Sequence, residues 1–370
     1  MSMLPFTRPT LGEEEYSAVR EVLQSGWLTS GPRVIELEKD LSAYIGGGVD
    51  VRLFNSATSA LEAVLIAKDI GPGDEVIVPA MSFVASANVV VRAGATPVFV
   101  DVGLESRNLD ADAISPAITE KTRAIIPVHF SGMPVQMEPV YRLAESHKLL
   151  VLEDAAQAIG TKYQGRQIGS SGNPVAFSFH PNKNMTTIEG GAVASNDPHL
   201  IKQLESIRFH GISRDDEGEM MVESWGGKMN LPDVCATIGL AQLKKLDGFN
   251  ARRRMLAERY FERMPRHLSL VLPAQADGHS WHMFCVCLDF ESMGMSRNDI
   301  LETFKARDIM LGMHYPAMHL FGLYRRLGYG PGDFPVAEQI GQQTFTLPLF
   351  PAMTINDVDR VAAVFDQLLA

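Results

Sequence analysis

The sequence predicts an α/β protein: a mostly parallel central sheet flanked by helices in a large domain, residues 1–250, followed by a smaller α+β domain, residues 251–370. Three observations carry this. Between residues 51 and 193, apolar segments of about four to eight residues alternate with helical patterns, the signature of βα units. Past about residue 255 the pattern changes to a strand, a helix, a loop-rich stretch and a final helix. The 370 residues, 46% of them hydrophobic, suffice for two cores.

The elements follow in order. GEEEYSAVREVLQ (12–24) reads as a helix whose acidic first turn suits the positive helix N-terminus. SGWLTSGPRV is a loop, with Trp27 expected to pack, and IELEKDLSAYIG is a second helix ending at glycines. VRLFNSATSALEAVLIAK (51–68) is strand, turn and helix, and residues 74–102 are strand, loop, helix and strand. RAIIPVHFSG is a further strand, then a helix leads into LLVLEDAAQAIG, whose continuously apolar start marks a buried central strand. FHGISRDDEGEMMVES reads as a mobile loop, and Arg252, Arg253 and Arg254 as a solvated helix face. WHMFCVCLDF reads as a strand with Cys285 and Cys287 on one face, as core residues.

Composition excludes several functions. A net charge of −11 argues against nucleic acid, which needs a basic face. No apolar run approaches the roughly 20 residues of a membrane helix, and the N-terminal residues lack a secretion-signal pattern. Three cysteines, Cys235, Cys285 and Cys287, form no disulfide framework and no metal-ligand set. A cytoplasmic protein is expected.

The chemistry centres on residues 175–193, VAFSFHPNKNMTTIEGGAV. Lys183 follows an apolar strand carrying Phe177 and Phe179, which places it at a strand end facing a pocket. Desolvation there disfavours the ammonium, and a neutral amine attacks aldehydes. A solvated loop lysine is the alternative. Upstream, Asn55, Ser56, Ala57 and Thr58 form a turn at a helix N-terminus, which is either an anion site or a plain helix cap. Asp154 ends the buried strand, where a carboxylate needs a partner, unless it caps a helix starting near Ala155. Phe83, His129, Gln157 and Ser178 also follow strands, and ligands bind at the carboxyl ends of strands in such sheets. A carboxylate, a phosphate turn, an aromatic and a lysine in one βα series fit pyridoxal phosphate (PLP). Its ring nitrogen, phosphate, ring face and aldehyde require those four partners.

The motifs EEEYSAVREVLQSGWLTSGP, NSATSALEAVL, GPGDEVIVPAMSFVASANVVVRAGATPVFVDV, PVHFSGMPVQM, LEDAAQAIG, FSFHPNKNMTTIEGGAV, IGLAQLKKL, HYPAMHL, FPVAEQ and LPLFP occur in order along nearly the whole chain. By them the chain resembles the DegT/DnrJ/StrS family, the fold-type-I PLP nucleotide-sugar aminotransferases. The resemblance implies that Lys183 forms the Schiff base and shuttles the proton between Cα and C4′. Asp154 pairs with the pyridinium nitrogen and Gln157 lies beside the ring hydroxyl. Ser178, Ala57 and Thr58 form the phosphate cup, and Phe83 stacks on the ring. GGKMN matches a segment that reaches a neighbouring subunit, so Asn230 or Lys228 would contact phosphate or substrate across a homodimer interface.

Some relatives carry histidine in place of the lysine and are dehydratases; retention of Lys183 implies transamination through the internal aldimine and PMP. His180 and His314, with Tyr315 and His319, are candidates for the substrate side. The Lys-x-Asn form, the NSATS turn, HSWHMF and SRNDILETFKARDIMLGMHY resemble most the 4-amino-4-deoxy-L-arabinose branch. That branch implies L-glutamate as donor and a 4-keto nucleotide sugar as acceptor. Two rivals stand beside this reading. One is an enzyme of the same fold acting on a non-sugar ketone or amine or catalysing elimination; the other is a regulatory protein that has lost the chemistry.

Overall fold

The structure, a computed structural model, describes residues 3–222 and 224–370. Strands β1 (Asp50–Phe54), β2 (Glu75–Pro79), β3 (Thr96–Val100), β4 (Thr122–Ile125), β5 (Leu150–Val151) and β6 (Glu153–Ala155) come first. A small hairpin, β7 (Lys162–Tyr163) and β8 (Arg166–Gln167), precedes β9 (Val175–Ser178) and β10 (Gly191–Ser195). Four strands in the order β3-β2-β4-β5 are all parallel. Four more follow the order β1-β10-β9-β6.

The two sheets are continuous. Strands β5 and β6 are one line of chain interrupted at Leu152, whose N–H donates to the Ile125 carbonyl (3.0 Å), while the Asp154 N–H donates to that of Pro127 (2.8 Å). On the other edge the Glu153 N–H donates to the Pro174 carbonyl (3.0 Å) and β6 pairs in parallel with β9. Only β10 departs from the expected direction, running antiparallel to both β9 and β1. Apart from the acidic β6, the strands of these two sheets are largely apolar, and they are mostly buried because helices cover both faces.

Helices α1 (Glu13–Ser25), α3 (Ala57–Ala67) and α4 (Ala85–Arg92) form where the sequence pattern puts them, whereas α2 (Pro32–Ile45) starts at Pro32, inside the stretch expected as a loop, because proline suits the first helical position. In α1 the Glu15 carboxylate accepts from the Gly12 N–H (2.7 Å), and the chain leaves through Gly26 at φ +73°. The start of α2 is held from a distance: Asp233 accepts from the N–H groups of Gly31 (2.8 Å), Val34 (3.0 Å) and Arg33 (3.1 Å).

A long helix, Leu246–Arg263, runs through residue 250. Beyond it β13 (Leu270–Val271), β14 (Phe284–Leu288) and β15 (Thr344–Leu347) form a separate antiparallel sheet. Leu256, Ala257 and Tyr260 pack with Phe284, Phe345 and Phe365 of the closing helix Ile355–Leu368 in a core of their own. Cys285 and Cys287 are buried on β14.

Four further expectations need correction. The stretch expected as a mobile loop contains a hairpin, β11 (Ile212–Arg214) with β12 (Met220–Val222). Trp27 is not packed but 56% exposed. Arg253 is only 2% exposed: it falls on the inward stripe with Asn250, Ala257 and Tyr260, and its guanidinium donates to the carbonyls of Leu349 (2.8 Å) and His282 (3.1 Å). No helix starts at Ala155, which ends β6; tight turns follow, with Ala158 N–H to Ala155 carbonyl (2.9 Å).

Candidate active site

At the carboxyl ends of β6 and β9 lies a cavity of about 350 Å³. Its wall contains Lys183, Asp154, Gln157, Ser178, Ala57, Thr58, Phe83 and His180, eight residues scattered over more than a hundred positions of the chain. Ser56, Ser82, Asn182, Glu189, Gly190 and Tyr315 complete much of it.

One end is a helix start. Ser56 caps α3 by accepting from the Ser59 N–H (3.1 Å). The N–H groups of Ala57 and Thr58 then have no partner within the helix, and α3 points its positive end into the cavity. Gly191 permits this approach: a Cβ there would lie 2.4 Å from the Ala57 nitrogen and 2.4 Å from the Ser56 carbonyl carbon. Ser178, at the end of β9, pairs with Gly191 in the adjacent strand and so stands beside the same turn.

Asp154 is the buried acid, 4% exposed. Successive residues of a strand face opposite ways, so Asp154 reaches the cavity and Glu153 the far side. There Glu153 is held by His129 Nε2 (2.9 Å), Ser171 Oγ (3.2 Å) and the Tyr141 hydroxyl. Since His129 Nδ1 accepts from the Val135 N–H (3.0 Å), its proton sits on Nε2 and is donated to Glu153. Asp154 Oδ1 accepts from the Ala156 N–H (3.0 Å) and Oδ2 from the Ser86 hydroxyl (2.7 Å). Burial pushes the Asp154 pKa up, and the Ser86 and Ala156 hydrogen bonds and the charge of Lys183 oppose it.

Lys183 follows β9 through a turn closed by its N–H to the His180 carbonyl (2.9 Å). Burial pushes its pKa down to about 8, partly offset by Asp154. Phe83, 52% exposed, offers a bare aromatic face, with the Tyr315 ring 5.7 Å away. The Gln157 carbonyl oxygen is committed to the Ser131 N–H (2.7 Å), which leaves its amide N–H groups to donate. His180 Nδ1 lies 2.8 Å from Asn182 Oδ1, and its Nε2 is 3.8 Å from Glu189 at the mouth.

His319, His314, Asn230 and Lys228 are absent from this wall; His319 is fully buried, with its Nε2 3.0 Å from Glu338 Oε1. His314 Nδ1 is bonded to Thr346 Oγ1 (2.7 Å), and burial with the charges of Lys183 and Arg107 holds its pKa at about 4. The Asn230 amide donates to Ser30 Oγ (2.6 Å), and the Lys228 ammonium lies 4.4 Å over the Phe209 ring. Their segment runs beside the turn before α3 of its own chain, where the Asn55 N–H donates to the Met229 carbonyl (2.7 Å). Sequence reasoning missed Ser82, Ser86 and Glu189. Nothing in the spacing of Ser86 marks it, since its partner Asp154 is 68 residues away.

The chain matches the DegT/DnrJ/EryC1/StrS aminotransferase family over residues 9–366. DesV of S. venezuelae, solved in complex with a ketimine intermediate, is 34% identical with a TM-score of 0.90, over 97% of this chain and 95% of that one. PseC of Helicobacter pylori, an aminotransferase involved in the biosynthesis of pseudoaminic acid, is 31% identical with a TM-score of 0.92, over 100% of this chain and 99% of its own. Spr1654 of Streptococcus pneumoniae, in its PLP-form, is 31% identical with a TM-score of 0.92, and each chain is covered in full (100% and 100%). The chain belongs to the DegT/DnrJ/EryC1/StrS aminotransferase family.

Proposed function

We propose that this enzyme moves an amino group from an amino acid, L-glutamate, to the keto group of a nucleotide-linked sugar, with pyridoxal phosphate as cofactor. One observation carries the reading: a buried carboxylate, a lysine of lowered pKa and a helix start whose Ala57 and Thr58 N–H groups have no partner within the helix line one cavity at strand ends. The relatives named as DesV, PseC and the PLP-form of Spr1654 support it.

The residues fit the cofactor in charge and shape. The close approach that Gly191 permits makes a cradle for a phosphate at the N–H groups of Ala57 and Thr58, with Ser178 as a hydroxyl donor. Asp154 would accept the hydrogen bond of the protonated ring nitrogen, Phe83 would cover one ring face, and the free Gln157 amide would donate to the ring hydroxyl. When bound, pyridoxal phosphate supplies an aldehyde that accepts amino groups and a ring that withdraws electrons from the adjoining carbon. Lys183 Nζ would be the amine that holds the cofactor through its aldehyde, and as a free amine it would be the base that moves the proton of the donor's α-carbon. His180 meets the substrate at the mouth.

Lys228 and Asn230 serve a second copy of the chain in a homodimer. The exposed side chains of Trp27, Met220, Val222 and Trp225 support that assembly. The 4-amino-4-deoxy-L-arabinose branch, with a 4-keto nucleotide sugar, is the acceptor class we favour, in the cytoplasm. Among the described residues no helix is long and apolar enough to cross a membrane.

The test is an absorbance spectrum of the purified protein before and after excess L-glutamate, then a panel of 4-keto nucleotide sugars. A near-visible cofactor band that glutamate shifts to shorter wavelength, and turnover of a sugar, is the expected result. A band indifferent to glutamate, or turnover only of ketones lacking a nucleotide, refutes the donor or the acceptor respectively.

A further inference from the structure

Ser86 was singled out neither by its neighbours in sequence nor by the cavity wall, which it does not line. It is fully buried, at 0% exposure, in the first turn of α4. Its hydroxyl has one proton and three acceptors within reach: Asp154 Oδ2 at 2.7 Å, the Phe83 carbonyl at 3.3 Å and Ser82 Oγ at 3.3 Å. The short bond to the carboxylate is the charge-assisted one and takes the proton. Ser82, on the cavity wall, can then donate to the Ser86 oxygen, so the hydroxyl is pinned from behind.

An ionised carboxyl has about four lone-pair positions. The Ala156 N–H and the Ser86 hydroxyl each use one, on different oxygens, and so fix the carboxylate plane while leaving positions on both oxygens open. The remaining titratable groups that act on Asp154 are Lys183 and His129, with Tyr315 across the cavity. None of these donates a hydrogen bond to it. Ser86 is thus the only side chain among the described residues that bonds the acid directly.

We propose that Ser86 is a positioning residue: its hydroxyl keeps Asp154 an aimed carboxylate, and through Asp154 it determines how tightly the ring nitrogen of the cofactor is held. The proposal rests on the pyridoxal phosphate reading above. Without the hydroxyl, desolvation of Asp154 is opposed by one donor fewer, so the acid tends toward its neutral form, and its plane is held only by the Ala156 N–H on Oδ1. A neutral acid cannot form the ion pair with a protonated ring nitrogen.

The test compares two ligands on the apoprotein, pyridoxal phosphate and its 1-deaza analogue, which has carbon in place of the ring nitrogen. Dissociation constants are measured for the native chain, Ser86→Ala and Ser86→Thr. A hydrogen bond to a charged group is worth about tenfold or more in affinity. The expected result is a weakening of pyridoxal phosphate by about tenfold in Ser86→Ala, no change for the deaza analogue, and recovery in Ser86→Thr. Equal losses for both ligands would make Ser86 a packing residue and overturn the proposal, as would no loss for either. A native chain that binds neither ligand refutes the cofactor reading itself. A native chain that binds both, with Ser86→Ala indistinguishable from it, refutes only the role of Ser86.

Discussion

Replacing Gly191 by alanine tests the phosphate cradle more sharply than removing any donor. Gly191 pairs with Phe54 on one side and Ser178 on the other, so β10 cannot swing away. The new Cβ would sit 2.4 Å from the Ala57 nitrogen, and ordinary contact begins near 3.4 Å. The Ser56–Ala57 turn must therefore retreat by 3.4 − 2.4 = 1.0 Å. A hydrogen bond of about 2.9 Å stretched by that much is lost. One charge-assisted bond is worth about 1.5–3 kcal/mol, so affinity for pyridoxal phosphate should fall about 10- to 100-fold. Overpacking should also lower stability by about 1–3 kcal/mol. The assay is equilibrium binding of pyridoxal phosphate beside pyridoxal, which lacks the phosphate, with thermal unfolding of the apoprotein as the stability measure. Affinity for pyridoxal should hardly change. A Gly191→Ala protein that bound pyridoxal phosphate as tightly as the native chain, or lost both ligands by one factor, would refute the reasoning.

Lysine chemistry gives a pH prediction. The reactive form of Lys183 is the neutral amine, and its pKa is pushed down to about 8. Condensation of the apoprotein with pyridoxal phosphate should speed up as pH rises toward 8 and level off above it; a rate still climbing past pH 9.5, as for a lysine near the ordinary value of about 10.4, would contradict this. Asp233→Ala removes a buried acceptor of three N–H groups at the start of α2, and should cost about 2–4 kcal/mol in urea unfolding. An unchanged midpoint would show that water serves that helix end equally well. Glu153→Gln sets an amide N–H against the Nε2–H of His129, or against the Tyr141 and Ser171 donors if it flips. It should lose about 1–3 kcal/mol of stability while keeping native affinity for pyridoxal phosphate, because Glu153 faces away from the cavity; a selective loss of cofactor binding would show instead that the two acids act together.

Much of the site could be read from the chain because its parts announce themselves locally. A buried strand needs an apolar run, so residues 149–152 and 175–179 mark two strand ends. A lysine and an aspartate that follow such runs are necessarily brought to one edge of a parallel sheet. A turn of small hydroxyl residues before an amphipathic run likewise signals a helix start. These inferences use only neighbours in sequence, and seven of the predicted cofactor and lysine positions do line one cavity.

Other features depend on which distant segments meet. Ser86 reaches Asp154 across 68 residues, and Asp233 reaches α2 across about 200; a hydrogen bond leaves no trace in the spacing of either partner. The antiparallel course of β10 goes with a connection, residues 179–190, that contains no crossover helix, and an apolar strand reads the same in both directions. Arg253 looks like one of three surface arginines until the helix is rotated against the C-terminal core, which turns that one inward. Periodicity and turn chemistry are local and survive in the sequence; burial, hydrogen-bond partners and the lowered pKa of Lys183 belong to contacts that exist only once the chain has folded.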